Sequence, residues 1–255
     1  MEKPAWELDE ADLASGRLIT PKCPECGGTG RVTVTVFKAE HEEDCGCHWR
    51  AESYLREARF PDRFAGNTLA DLQWGRFTPA LAAGVQGFAE QLEAYGAEGI
   101  GMVLAGNVGN GKTHIAVGLG KLACGLGYSA AFVTLADTLE DLRATYGQPH
   151  SLVQADNPLA ALLEVDWLVL DDLGIEGDST WVKEKVYQLV NRRWLARRPM
   201  IVTTNKSPEE LTRRYGEGVV SRLWGDSMVL HFQAEDYRLS AKAHRLNRLK
   251  GNPRP

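Results

Sequence analysis

One stretch, Gly106-Asn107-Val108-Gly109-Asn110-Gly111-Lys112-Thr113, constrains this chain more than any other. Two glycines separated by four residues and followed by Lys-Thr match the phosphate-binding loop. The glycines let consecutive backbone N–H groups turn inward and cradle phosphate oxygens. Lys112 is then spaced to reach the β- and γ-phosphates, and the Thr113 hydroxyl to hold Mg2+. The flanks fit the loop. Met102-Val103-Leu104-Ala105 reads as a short buried strand, and His114 to Leu126 reads as a helix whose N-terminus faces the phosphates. The expectation is a chain that binds ATP or GTP on residues 106–114.

A second apolar run, Trp167-Leu168-Val169-Leu170, ends in two carboxylates, Asp171 and Asp172. Such a strand is expected beside the phosphate loop, with Asp171 holding Mg2+ through water and Asp172 orienting or deprotonating the attacking water. Ser129 to Thr134, Pro199 to Thr204 and Met228 to Phe232 read as three more strands. The second of these runs into Asn205, an amide placed to sense a water or the γ-phosphate. Strands alternating with helices predict an α/β fold with a parallel five-stranded sheet and the site at the strands' C-terminal ends. In Arg213-Arg214-Tyr215-Gly216-Glu217-Gly218-Val219-Val220-Ser221-Arg222-Leu223, Arg222 sits within an apolar run. A guanidinium there calls for a negative group, either a γ-phosphate on a neighbouring subunit or an ordinary salt bridge.

At 255 residues and a net charge of −5, the chain has room for one sizeable domain and an appendage. The net charge excludes a protein that coats nucleic acid by bulk attraction, so any DNA contact falls to a local patch. No apolar run approaches the ~20 residues of a membrane span, and Met1-Glu2-Lys3-Pro4 lacks a signal peptide's layout. A cytoplasmic location is expected. There, clustered cysteines mean metal more often than disulfide. Cys23 and Cys26 form a knuckle on a tight turn, and the alternating Arg31 to Phe37 is a hairpin arm returning toward Cys45 and Cys47. Structural Zn2+ on Cys23, Cys26, Cys45 and Cys47 is the expectation. The tighter spacing of the second pair leaves room for His48 or His41 to replace a thiolate, and free thiols or a redox pair are the alternatives. Cys124 reads as core.

Residues 1–20 read either as an amphipathic helix that docks on a partner or as a frayed terminus. Arg50 to Arg59 looks helical up to a break at Pro61, and Pro79 to Tyr95 reads as one amphipathic helix. Between them, Phe60-Pro61-Asp62-Arg63-Phe64 offers either a wall for an adenine or plain packing.

Taken together, GNVGNGKT, LVLDDLG, IVTTN, YGEGVVSRL and DYR resemble the AAA+ ATPases of the bacterial helicase-loader family (the DnaC and DnaI type). IstB-type transposition helpers share most of these motifs. The likeness covers residues 21–249. It implies a Walker A motif at Lys112 and Thr113, a Walker B motif at Asp171 and Asp172, a sensor 1 at Asn205, an arginine finger acting in trans at Arg222 and a sensor 2 at Arg238. After Phe232 too little chain remains for the usual helical lid, a truncation that loaders share. The implied organisation is a small zinc-binding, helicase-interacting domain over 1–50, a linker over 51–98, and over 99–255 a AAA+ P-loop NTPase domain with a reduced lid and a basic tail.

Family likeness also implies single-stranded DNA held in the pore of a self-associated oligomer. Two stretches resemble that surface. Thr138 to Tyr146 offers Arg143 and Tyr146 on a helix, and Gly177 to Trp181 offers Ser179 and Trp181. An ordinary amphipathic helix and loop are the alternative. The implied activity is ATP hydrolysis that loads a replicative hexameric helicase, with ATP, Mg2+ and Zn2+ as cofactors and no membrane partner. The rivals are an IstB-type helper acting on duplex DNA and a non-hydrolysing adaptor switched by ATP.

Overall fold

The structure is a computed structural model that describes residues 31–36, 39–44, 53–145 and 158–232. The first described element is a two-stranded hairpin, β1 (Arg31–Val36) and β2 (Ala39–Asp44). Its antiparallel register pairs Arg31 with Asp44 at one end and Val36 with Ala39 at the other. The expected return arm is therefore present.

Five parallel strands form the core sheet: β3 (Gly101–Gly106), β4 (Ala130–Thr134), β5 (Trp167–Asp171), β6 (Met200–Thr204) and β7 (Ser227–Phe232). Their lateral order is β4-β5-β6-β3-β7. Side chains alternate between two apolar layers. Met102, Leu104, Val169 and Ile201 face one layer, while Val103, Ala105, Leu168, Leu170 and Val202 face the other. Continuous apolar runs such as these are what a parallel sheet covered on both faces requires.

On the first face lie α1 (Pro79–Glu90), α2 (Leu92–Glu98) and α3 (Lys112–Gly125). Thr78 caps α1 by accepting from the Leu81 N–H, with Pro79 in the first turn. The single helix expected from Pro79 to Tyr95 is in fact two. Gln91 leaves helical geometry at φ −110° and ψ 16°. A continuous helix would rise about 10 Å between positions 88 and 95, whereas the break stacks Tyr95 on Phe88 at 4.9 Å between ring centroids.

The opposite layer is built from α4 (Leu135–Thr145), α5 (Pro158–Glu164), α6 (Thr180–Leu195), α7 (Pro208–Tyr215) and α8 (Glu217–Gly225). Ser207 and Glu210 form a reciprocal capping box on α7. Arg193 of α6 is wholly buried and donates to the carbonyls of Leu162, Val165, Asp166 and Pro199. One side chain thus joins the end of α5 to the chain entering β5 and β6.

Upstream of α1, residues 53–57 are helical, and Arg59 turns the chain with φ 54°. Phe60 packs against Phe132, and Ala58 accepts a backbone hydrogen bond from the Phe132 N–H on edge strand β4. Phe60 is therefore packed on the edge of the sheet, while Phe64 lies against the His114 ring at 6.2 Å between centroids. Cys124 is core, as expected, and burial pushes its thiol up to about 12. Among the described residues, no helix is long and apolar enough to cross a membrane.

Candidate nucleotide site

The phosphate loop connects β3 to the first turn of α3, at the C-terminal edge of the sheet. Two of its glycines are dictated by space. Gly106 has φ +135°, and a Cβ there would lie 2.1 Å from the Phe232 carbonyl oxygen of β7. Gly111 has φ +94°, and its Cβ would lie 3.3 Å from the Phe77 ring. Lys112 is buried, with its amino group donating to the Gly106 carbonyl at 2.8 Å, to Asn110 Oδ1 at 3.0 Å and to the Asn107 carbonyl. Asn110, also buried, donates in turn to the Phe232 carbonyl at 3.3 Å. The loop is thereby tied to β7, and the lysine is folded over its own loop. Val108 is left exposed at the tip.

The acidic half of the site comes from β5. β6 lies between this strand and the phosphate-loop strand β3. That intervening strand supplies a residue the motif reading passed over. The hydroxyl of Thr203, fully buried in β6, donates to Asp171 Oδ1 at 2.6 Å and accepts from the Asp172 N–H at 2.8 Å. One threonine fixes both carboxylate residues. The Thr-Thr pair before Asn205 was its only sequence signal. Asp172 has φ 54°, an uncommon backbone for a non-glycine residue and one often found at functional positions.

Burial raises the Asp171 carboxyl above its usual range, and the neighbouring charge of Asp172 adds to this. Hydrogen bonds from Thr203 and Thr113 and the charge of Lys112 pull the other way. The Thr113 hydroxyl and the Asp171 carboxylate therefore meet across the intervening strand. Their hydroxyl and carboxylate oxygens are hard donors that suit Mg2+ alongside phosphates.

Other expected site residues fall around this centre in different ways. Asn205 is exposed at the end of β6. The His114 ring turns away from the loop, toward the Thr68 carbonyl at 3.0 Å, so only its backbone N–H remains for a phosphate. Phe77, which the sequence reading did not single out, lies against Gly111 and edge-on to Phe232. Arg222 finds no acid within its own subunit among the described residues. Its guanidinium lies over the rings of Trp194 and Tyr187 and donates to the Gly218 carbonyl at 2.6 Å.

On another surface, Arg143 lies 4.7 Å over the Trp181 ring and donates to the Ser179 hydroxyl at 3.3 Å. That hydroxyl also caps α6 through the Val182 N–H. Arg143, Ser179 and Trp181 are thus one cluster, whereas Tyr146 lies outside the described residues. So do Arg238, Cys23, Cys26, Cys45, Cys47 and His48. His41 is in β2, opposite Val34. Among the described residues, no group of three or more His, Cys, Asp and Glu side chains can hold a metal ion.

With this geometry in place, comparison with known proteins decides the family. The family described as IstB-like ATP binding protein matches residues 37–245. The chain belongs to that family. It is 31% identical over 137 residues to the replicative helicase loader DnaC of Escherichia coli strain K12, covering 53% of this chain and 55% of the loader. It therefore spans about half the length of that relative. To a putative insertion sequence ATP-binding protein of Sinorhizobium fredii it is 27% identical over 216 residues, covering 81% of this chain and 70% of that protein. A crystal structure of the DnaC helicase loader superposes with a TM-score of 0.57 at 24% identity, covering 68% of this chain and all of that one. The family is one of ATP-binding proteins, and the chain's parallel five-stranded core is the one expected.

Proposed function

We propose that this chain is an ATP-dependent loader that engages the replicative hexameric helicase and single-stranded DNA. The observation that carries this reading is the 31% identity to the E. coli loader. In the proposed cycle, ATP sits on the phosphate loop with Lys112 on the β- and γ-phosphates and Mg2+ at Thr113 and Asp171. Asp172 orients the attacking water, and Asn205 reads the state of the γ-phosphate. Arg222 acts on the nucleotide of a neighbouring subunit, so that turnover is slow until subunits assemble. Arg238 is assigned the sensor 2 role by family likeness alone.

Single-stranded DNA is assigned to the surface of Arg143 and Trp181, with Ser179 and Tyr146. A cation stacked on an aromatic ring suits a strand with phosphates on one side and bases free to stack. Zn2+ is assigned to Cys23, Cys26, Cys45 and Cys47. The pairing of Arg31 with Asp44 supports this, because both cysteine-bearing segments join the hairpin at that same end. By the same register, His41 lies three residues inside β2 from its end at Asp44, about 10 Å along an extended strand, which argues against its replacing a thiolate. Metal analysis should give about one zinc per chain for a closed four-ligand site, and zinc-free protein would remove the assignment.

The test of the loader reading is co-migration on a sizing column with the replicative helicase of the same host, with and without ATP. The expected result is a complex that loses its partner when residues 1–60 are deleted. A second reading, a transposition helper, is favoured by the longer match to the insertion-sequence protein. Absence of a helicase complex together with capture of a transposase would establish that reading instead.

A further inference from the structure

Arg222 is held in a way that sequence likeness does not specify. It projects from α8, whose Val219 and Leu223 are buried in the core, toward α6. There its guanidinium carbon lies 5.0 Å from the Trp194 ring centroid and 5.7 Å from that of Tyr187. The two aromatics are seven positions apart, two turns along one face of α6. Trp194 is itself fixed, its indole N–H donating to the Asp226 carboxylate just after α8. Gly218 completes the seat, since a Cβ there would come within 3.0 Å of Arg222 Nη1. Arg222 Nε is buried without a hydrogen-bond partner among the described residues.

Both aromatics and a neighbouring leucine on α6 meet solvent. Tyr187 is 45% exposed, Trp194 40% and the adjoining Leu195 67%, the last being the most exposed large apolar side chain among the described residues. Scattered exposed apolar residues are ordinary. Here they are gathered around a half-buried cation that has no acid beside it, an arrangement better suited to receiving a surface than to facing water.

We infer that Tyr187 and Trp194 are positioning residues for Arg222, an aromatic clamp that presents its guanidinium to the nucleotide of a second copy of this chain. The inference rests on the trans role proposed for Arg222. The physical reason is preorganisation. A free arginine loses rotamer freedom when it docks, whereas one already held by ring faces and a carbonyl meets the incoming phosphate with most of that ordering complete. The partner that fits is an anionic site with apolar surface beside it, which the carboxylate and phosphate end of the nucleotide site, with Val108 exposed at the loop tip, supplies.

The experiment is ATP turnover of Trp194→Leu, Tyr187→Leu and Trp194→Phe, each compared with Arg222→Ala, at protein concentrations where wild-type turnover rises faster than linearly. Trp194→Leu is expected to lower kcat about tenfold with little change in KM for ATP, and Trp194→Phe to recover most of the loss. The decisive arm mixes each variant with Lys112→Ala, whose own nucleotide site is disabled but whose Arg222 and clamp are intact. Trp194→Leu and Arg222→Ala should both regain turnover in that mixture, because each needs only a donor from its neighbour. Rescue of Arg222→Ala without rescue of Trp194→Leu and Tyr187→Leu would overturn the clamp while leaving the trans role standing. Full activity of Arg222→Ala would overturn both. If Trp194→Leu lacks the wild-type unfolding transition, Tyr187→Leu carries the same comparison.

Discussion

Two buried cations stand at opposite ends of the sheet, and both donate to backbone carbonyls. At the C-terminal edge, Lys112 is held by oxygens of residues 106, 107 and 110, all from a single loop. At the other edge, Arg193 is held by four carbonyls of residues 162, 165, 166 and 199, from two separate parts of the chain. Burial lowers the Arg193 guanidinium to about 9, so it is still protonated at neutral pH. What separates the two is how many elements would have to move for the cation to leave. Lysine is a flexible point charge, and its loop oxygens can be exchanged for phosphate oxygens with the fold unchanged. Arginine's fixed fork fills four acceptors at once, and its departure would strand them away from water. The first cation is available for chemistry. The second belongs to the architecture.

Substituting each cation separates these roles. Lys112→Ala should lower ATP turnover by about a hundredfold or more, the scale of losing a preorganised charge at a developing negative centre. The thermal unfolding midpoint should hardly move, since the loop carbonyls lie beside solvent. Arg193→Met should do the reverse. Four carbonyls lose their donor, two of them buried, and at about 1.5–3 kcal/mol for a hydrogen bond to a charged group the two buried ones alone cost about 3–6 kcal/mol. At roughly 2–4 °C per kcal/mol for a domain of this size, Tm should fall by about 6–24 °C. ATP affinity measured below that transition should persist. If Arg193→Met abolished ATP binding in a protein with wild-type Tm, or if Lys112→Ala unfolded the chain, the contrast would collapse.

Only one of these two cations was legible in the sequence. Lys112 belongs to a motif whose spacing is set by phosphate geometry, so one stretch declares both residue and role. Arg193 stands in Asn191-Arg192-Arg193-Trp194, which looks like the solvated end of a helix. Its four partners are contributed by residues up to 31 positions away, and no local pattern encodes them. The same division runs through the fold. All five strands were placed to within a residue, because the central strands, buried on both faces, are continuously apolar and the edge strands β4 and β7 stay mostly so. Their lateral order was not, since periodicity carries no information about which strand lies beside which. That single gap hid Thr203, whose importance comes wholly from β6 lying between the loop strand and the acidic strand. Gln91 was missed for a related reason. The apolar spacing of Leu81, Val85, Phe88, Leu92 and Tyr95 is helical on both sides of the break, and only the stacked rings show that the axis changes.

His114 provides the smallest and most local test, because it lies on α3 just two residues beyond Lys112 yet serves the architecture. Its Nε2 is 3.0 Å from the Thr68 carbonyl, and Asn67 Nδ2 is 3.4 Å from its Nδ1. A neutral ring with the proton on Nε2 satisfies both contacts, donating to the carbonyl and accepting from the amide. A protonated ring would set a second N–H against the Asn67 amide. Burial lowers the His114 pKa below its usual value, and Lys121 adds to this, while the Thr68 carbonyl and Asp71 oppose it. A folded-state pKa below the unfolded one means that this contribution to stability is complete above the unfolded value, about 6.5. It is then lost as pH falls through the folded-state value. Tm should therefore drop between pH 7.5 and 5.5 by more in the wild type than in His114→Gln, whose amide keeps a donor for Thr68 and does not titrate. ATP affinity at pH 7.5 should be equal in the two proteins. A large loss of affinity in His114→Gln would place the ring in the phosphate site and move His114 to Lys112's side of the comparison.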